Sequence, residues 1–178
     1  SPDLRRLDLS RSGPGVRSPS LGGTHLQAII ATRCEHLGDD AVTLACGSSP
    51  ALQTLMLALC TSLHSPRILG ERLSELNLSG CSALQDAAVT FACQNAPTLR
   101  RLSLSLCAAL VAPRVVGPCL QRVELSHCEA LSLPLIGGLA MVELSLSGCS
   151  RLEDAALDGL CDRAPALRKL SISGCTKL

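Results

Sequence analysis

Apolar residues along this chain keep one register. The spacing Leu-x-x-Leu-x-Leu-x-x-Cys, apolar at offsets 0, 3 and 5 with a small polar or thiol residue at offset 8, recurs eight times, starting at Leu4, Leu26, Leu52, Leu73, Leu99, Leu120, Met141 and Leu167. The repeats close on Ser12, Cys34, Cys60, Cys81, Cys107, Cys128, Cys149 and Cys175, and a leucine follows three residues after each of these seven cysteines. Offsets 3 and 5 lie two apart, so both side chains face one side of a short strand and enter a core, while offsets 2, 4 and 6 face outward. Starts separated by 22, 26, 21, 26, 21, 21 and 26 residues predict one strand per repeat, stacked in parallel into a curved sheet with an exposed inner face.

The segments that return from one strand to the next come in two lengths. In the 26-residue repeats an aspartate precedes a helical run: Asp39 before Ala41 to Cys46, Asp86 before Ala87 to Cys93, Asp154 before Ala155 to Cys161. An aspartate there is expected to cap the helix by accepting a bond from an orphan backbone amide. Val42 with Cys46, Val89 with Cys93 and Leu157 with Cys161 form i, i+4 apolar pairs expected to face inward. Pro50, Pro97 and Pro165 then stop each helix before the next strand. The 21-residue repeats lack this unit. Their returns, holding Pro66, Pro113 or Pro134, are expected to be irregular or a single turn, as is the first return.

Composition agrees with thin, similar layers. Of 178 residues 47% are apolar, yet there is one Phe and no Trp or Tyr, so the core is built from Leu, Val, Ile, Ala and Cys rather than from large aromatic rings. A net charge of +1 provides no global field toward nucleic acid or an anionic membrane, and the aromatic platforms of single-strand binding are missing. No apolar run is long enough to span a bilayer, and the N-terminus has no signal-peptide pattern.

At the level of these motifs the chain resembles the cysteine-containing leucine-rich repeats of F-box proteins. The segments from Cys34 to Cys60, Cys81 to Cys107 and Cys149 to Cys175 follow that pattern from end to end. The resemblance implies an α/β leucine-rich-repeat solenoid, a horseshoe with a parallel concave sheet of about eight short strands and short helices or irregular returns on the convex side. One such domain would occupy residues 1–178, truncated at both ends. In that family the horseshoe holds a substrate protein while a separate F-box segment recruits a ubiquitin-ligase core. No F-box-like segment lies in this chain, so adaptor recruitment in an SCF-type ligase would fall to a missing portion. A scaffold or inhibitor that grips a partner without marking it for degradation stays open as the alternative. A sensing role inside a nucleotide-switching receptor would need a nucleotide-binding domain elsewhere.

The 11 cysteines raise the question of metal or disulfide chemistry. No Cys-x-x-Cys pair exists, and the nearest approach to a ligand pair is Cys34 with His36. Neighbouring thiols about 5 Å apart could be bridged, yet a run of seven cannot pair off. The expectation is a small thiol filling the turn after each strand and bonding weakly to turn backbone, in a reducing, intracellular compartment, cytoplasmic or nuclear. His25, His36, His64 and His127 fall at unrelated repeat positions, and the Gly22-Gly23 and Gly137-Gly138 pairs lack the lysine of a phosphate loop. The chain is therefore expected to have no catalytic centre, cofactor or metal.

Recognition is then expected on the inner face. Offset 6 is a file of small residues: Ser10, Thr32, Ala58, Ser79, Ser105, Ser126, Ser147 and Ser173. Offset 4 varies, running Asp8, Ile30, Met56, Asn77, Ser103, Glu124, Ser145 and Ser171. Ile30, Met56, Leu59 and, further along, Leu106 make an expected apolar patch. Arg5, Arg6, Arg100, Arg101, Arg122, Arg168 and Lys169 make a basic strip, interrupted by Glu75 and Glu143, that could meet an acidic partner segment. The candidate partner-binding residues are Ile30, Met56, Leu59, Asn77, Arg101, Leu106, Arg122 and Glu124.

Overall fold

A computed structural model of the chain describes residues 3–12 and 22–178. Most of the irregular first return expected between Ser12 and Leu26 lies outside the described residues. In chain order the strands are β1 (Arg6–Asp8), β2 (Ala28–Ile30), β3 (Thr54–Met56), β4 (Glu75–Asn77), β5 (Arg101–Ser103), β6 (Arg114–Val116), β7 (Arg122–Glu124), β8 (Leu135–Gly137), β9 (Glu143–Ser145) and β10 (Lys169–Ser171). The architecture is α/β. Eight of these three-residue strands form one parallel sheet in the order β1-β2-β3-β4-β5-β7-β9-β10, with few and short helices beside it.

Every strand of this sheet occupies offsets 2 to 4 of its sequence repeat, and the pairing keeps repeats in phase: Leu55 faces Leu76, Leu76 faces Leu102, and Leu102 faces Val123. The offset-3 and offset-5 residues supply the core, as in Leu76 and Leu78 at 1% and 0% exposure. Burying each such leucine contributes about 1.5–3 kcal/mol. At β10 the same two positions, Leu170 and Ile172, are 41% and 37% exposed.

The chain leaves each strand through one shared turn. In five of the eight repeats the offset-8 amide donates to the offset-5 carbonyl, as from Cys81 to Leu78 and from Cys149 to Leu146. Such a turn needs a positive φ at its third residue, and offset 7 supplies it in all eight repeats, at Arg11, Arg33, Leu59, Gly80, Leu106, His127, Gly148 and Gly174. Five of these eight are not glycine, at a cost of about 1–2 kcal/mol each. The requirement was visible in the sequence as Ser-Gly-Cys at residues 79–81, 147–149 and 173–175.

The cysteine at offset 8 points inward and ties consecutive repeats together. Each Sγ–H donates to the offset-5 carbonyl of the preceding repeat: Cys34 to Leu9, Cys60 to Ala31, Cys81 to Leu57, Cys107 to Leu78, Cys128 to Leu104, Cys149 to Leu125 and Cys175 to Leu146, at 3.0–3.2 Å. All 11 cysteines are free thiols. Burial pushes the thiols of Cys60 and Cys128 up to about 12 and that of Cys81 up to about 11, so they stay protonated and able to donate.

The returns differ from expectation in three respects. First, helices α1 (Asp39–Gly47) and α2 (Asp86–Asn95) begin at the aspartates, and neither start carries a side-chain cap bond. The carboxylates reach across to the following return instead. Asp39 accepts the backbone N–H groups of His64 and Ser65, both at 2.9 Å, and Asp86 those of Val111 and Ala112 at 3.0 and 2.9 Å. One helical turn later Thr43 Oγ1 accepts from Arg67 N–H and Thr90 Oγ1 from Arg114 N–H. These aspartates staple repeats together, and their charge still suits the positive end of the helix.

Second, two of the three short returns, those holding Pro113 and Pro134, contain a strand, whereas the one holding Pro66 has no regular element, as expected. All three share Pro-x-Ile/Val-x-Gly, at Pro66 to Gly70, Pro113 to Gly117 and Pro134 to Gly138. The central Ile68, Val115 and Ile136 are buried at 0%, 0% and 1%. Two consecutive short returns meet as β6 and β8, a two-stranded parallel sheet with Val115 opposite Ile136. Third, the run from Ala155 to Cys161 is not one helix. A 3-10 turn (Asp154–Ala156) and a short helix α3 (Leu160–Arg163) flank Gly159, whose φ is +64°. The interruption turns Leu157 only partly inward and leaves Cys161 exposed, so the expected Leu157–Cys161 pair does not form. Ala156 and Leu160 are buried in its stead.

Candidate interaction face

The side of the sheet away from the returns is formed by the offset-2 and offset-4 files, and pairing sets the neighbours. At offset 4, Ile30 stands beside Met56, Met56 beside Asn77, and Ser103 beside Glu124. Ile30 and Met56 are half-buried. Leu59, three residues beyond Met56, leaves the strand through the left-handed turn and is 36% exposed. Leu106 sits at the same turn position two strands further on and is 56% exposed, with the Gly80 turn between the two. The structure thus brings Ile30 and Met56 side by side, adds Leu59 from the same repeat as Met56, and leaves Leu106 in a repeat that does not adjoin theirs.

The polar candidates are engaged locally. Asn77 Oδ1 accepts the N–H of Ser79 at 2.9 Å, a side-chain turn that Asp8 repeats with Ser10 at 3.0 Å. That bond holds the Asp8 carboxyl below its ordinary value. Ser103 Oγ donates to Glu124 at 3.1 Å, and Ser126 shares a 2.8 Å bond with Ser145.

At offset 2 the order Glu75, Arg101, Arg122, Glu143, Lys169 runs across neighbouring strands. Two like charges side by side repel, and each arginine turns to the glutamate on its other side: Arg101 to Glu75 at 3.5 Å, Arg122 to Glu143 at 3.4 Å. The glutamates that break the basic strip are therefore its counter-ions. Both guanidinium groups stay open, with side chains 60% and 57% exposed. An open hollow of about 510 Å³ at the leading edge, where the chain runs into the strands, is lined by Arg72, Arg100, Arg101, Glu71 and Glu75. A smaller one of about 270 Å³ lies over β7, β9 and β10, between Arg122, Glu124, Glu143 and Lys169.

Sequence reasoning named Leu59 and Leu106 but missed Arg72 and the left-handed backbone that carries the two leucines. The described residues contain no group of three or more metal-ligating side chains, and none of their helices is long and apolar enough to cross a membrane. Neither a family model nor a curated protein matches this chain.

Proposed function

We propose that the chain is a leucine-rich-repeat solenoid of the cysteine-containing kind whose open sheet face binds a partner protein, as the substrate-recognition part of an F-box ubiquitin ligase. The observation that carries binding is the pair of exposed leucines, Leu59 and Leu106, in a backbone conformation that glycine adopts without strain. Leu106 is 56% exposed, so little packing offsets its strain, and backbone strain of this kind gathers at binding sites. Ile30 and Met56 beside Leu59 widen the apolar surface. The ligase role draws on the Cys-ladder register and the resemblance it creates.

The test is made in the full-length protein. Adaptor and cullin subunits should co-purify with it, and a bound substrate should lose binding and live longer when Met56→Asp and Leu59→Asp are introduced. Binding lost without any change in turnover removes the ligase role. Partners indifferent to both substitutions remove the binding face.

A further inference from the structure

Charge is unevenly shared between the two edges of the sheet. Counting from two residues before to two residues after each repeat start, the leading edge holds eight of the 16 basic residues and four of the 15 acidic ones, Asp3, Glu71, Glu75 and Glu143. Counting from offset 7 to offset 14 among the described residues, the trailing edge holds seven acidic residues against four basic. A chain of net charge +1 therefore has a basic edge and an acidic edge. Arg72, Arg100 and Arg101 converge on the 510 Å³ hollow from two adjacent repeats, three guanidinium groups against the two carboxylates of Glu71 and Glu75. Arg101 is paired with Glu75, but Arg72 and Arg100 are exposed and make no ion pair among the described residues.

From this charge complementarity we infer that the occupant of the leading edge is an extended, acidic segment of the partner protein, its carboxylates met by Arg72, Arg100 and Arg101. The inference rests on the open face being a protein-binding surface, as proposed above. Alternate residues of an extended peptide lie about 7 Å apart on one side, so two successive carboxylates can reach arginines from adjacent repeats. Guanidinium groups take carboxylates through paired N–H donors, a match of shape as well as charge. Glu71 and Glu75 in the same hollow oppose the continuous phosphate line of a nucleic acid, and with one aromatic residue in the chain there is no platform for stacking bases. A peptide with spaced carboxylates can avoid those two glutamates.

The experiment pans a displayed random dodecapeptide library over the purified chain, then measures selected peptides and an oligodeoxythymidine by fluorescence anisotropy. Peptides enriched in Asp and Glu are expected, with affinity falling about tenfold in R100E/R101E and unchanged in R114E on the return side. Circular dichroism checks each variant, and R100Q/R101Q replaces the reversal if that fails to fold. Peptides without acidic enrichment that are lost on M56D overturn the acidic occupant and leave the binding face standing. No selected peptide, or only peptides indifferent to both substitutions, overturns both. Tighter binding of the oligonucleotide than of the acidic peptides replaces a protein partner with a nucleic acid.

Discussion

Leu59 lies over Gly80: a β-carbon built on Gly80 would stand 2.5 Å from Leu59 Cδ2. Both residues sit at offset 7 of adjacent repeats, and both have positive φ, 63° and 74°. The smaller residue makes room for the larger, as Gly148 does for His127, whose Nδ1 lies 2.4 Å from the equivalent built carbon. Gly80→Ala should destabilise the fold by about 1–2 kcal/mol through backbone strain plus crowding. Adding Leu59→Ala should recover the crowding part, so a double-mutant cycle in urea gives a coupling between the two. Leu106→Gly, which relieves strain at a mostly exposed side chain, should leave the melting temperature unchanged or raised while weakening partner binding.

How much of this was legible in advance depends on the kind of signal. The sheet was readable because period-2 alternation and a closing cysteine recur in one register, and offsets 3 and 5 admit only one burial pattern. Of the returns, the helices after Asp39 and Asp86 were readable, but the bonds and strands that join one return to the next were not, because their partners lie about 25 residues away. An aspartate before an apolar run has the local appearance of a cap, and nothing local reveals that Asp39 is met by the His64 and Ser65 amides. Pro113 to Gly117 and Pro134 to Gly138 become strands through each other, a pairing that no single segment specifies. On the open face, the files of neighbours could be read from offsets. The sharing of Arg101 and Arg122 between two flanking glutamates needed the side-chain geometry.

The thiol ladder makes stability fall at alkaline pH. Burial holds the ladder thiols of Cys60 and Cys128, and with them the α2 thiol of Cys93, at about 12, above a thiol's ordinary 9. Below pH 9 these thiols are protonated both folded and unfolded, and the contribution is constant. Between 9 and 12 the unfolded chain releases protons that the folded chain keeps, so stability drops by about 1.4 kcal/mol per pH unit for each such thiol. Urea midpoints should be flat from pH 7 to 8.5 and decline steeply above 9. A flat profile through pH 10.5 would show that the ladder thiols are not desolvated.

The staple role of Asp86 is separable from a capping role by where the damage appears. Asp86→Ala removes the acceptor for the Val111 and Ala112 amides, at a cost of about 1–2 kcal/mol. Amide exchange should quicken at Val111, Ala112 and the β6–β8 pair more than in the first turn of α2. Faster exchange confined to α2 would restore the cap.

The third long return tests whether two residues decide between a helix and a broken one. Aligned on their aspartates, α1 has Thr43 and Leu44, α2 has Thr90 and Phe91, and the third return has Asp158 and Gly159. Threonine at the first position bonds forward to the next return, and a bulky residue at the second keeps the helix running. Gly159 instead turns left-handed and is less favourable in a helix than alanine by about 1 kcal/mol. Its interruption carries Cys161 to the surface, whereas the equivalent Cys46 and Cys93 are 2% and 4% exposed. In the native protein a thiol reagent at neutral pH should therefore label Cys161 well before the buried thiols. Asp158→Thr with Gly159→Leu should extend the helix from Asp154 through Cys161, raise the helical ellipticity and slow labelling at Cys161. Ellipticity and labelling both unchanged would mean that packing against β8, not these two residues, sets the break.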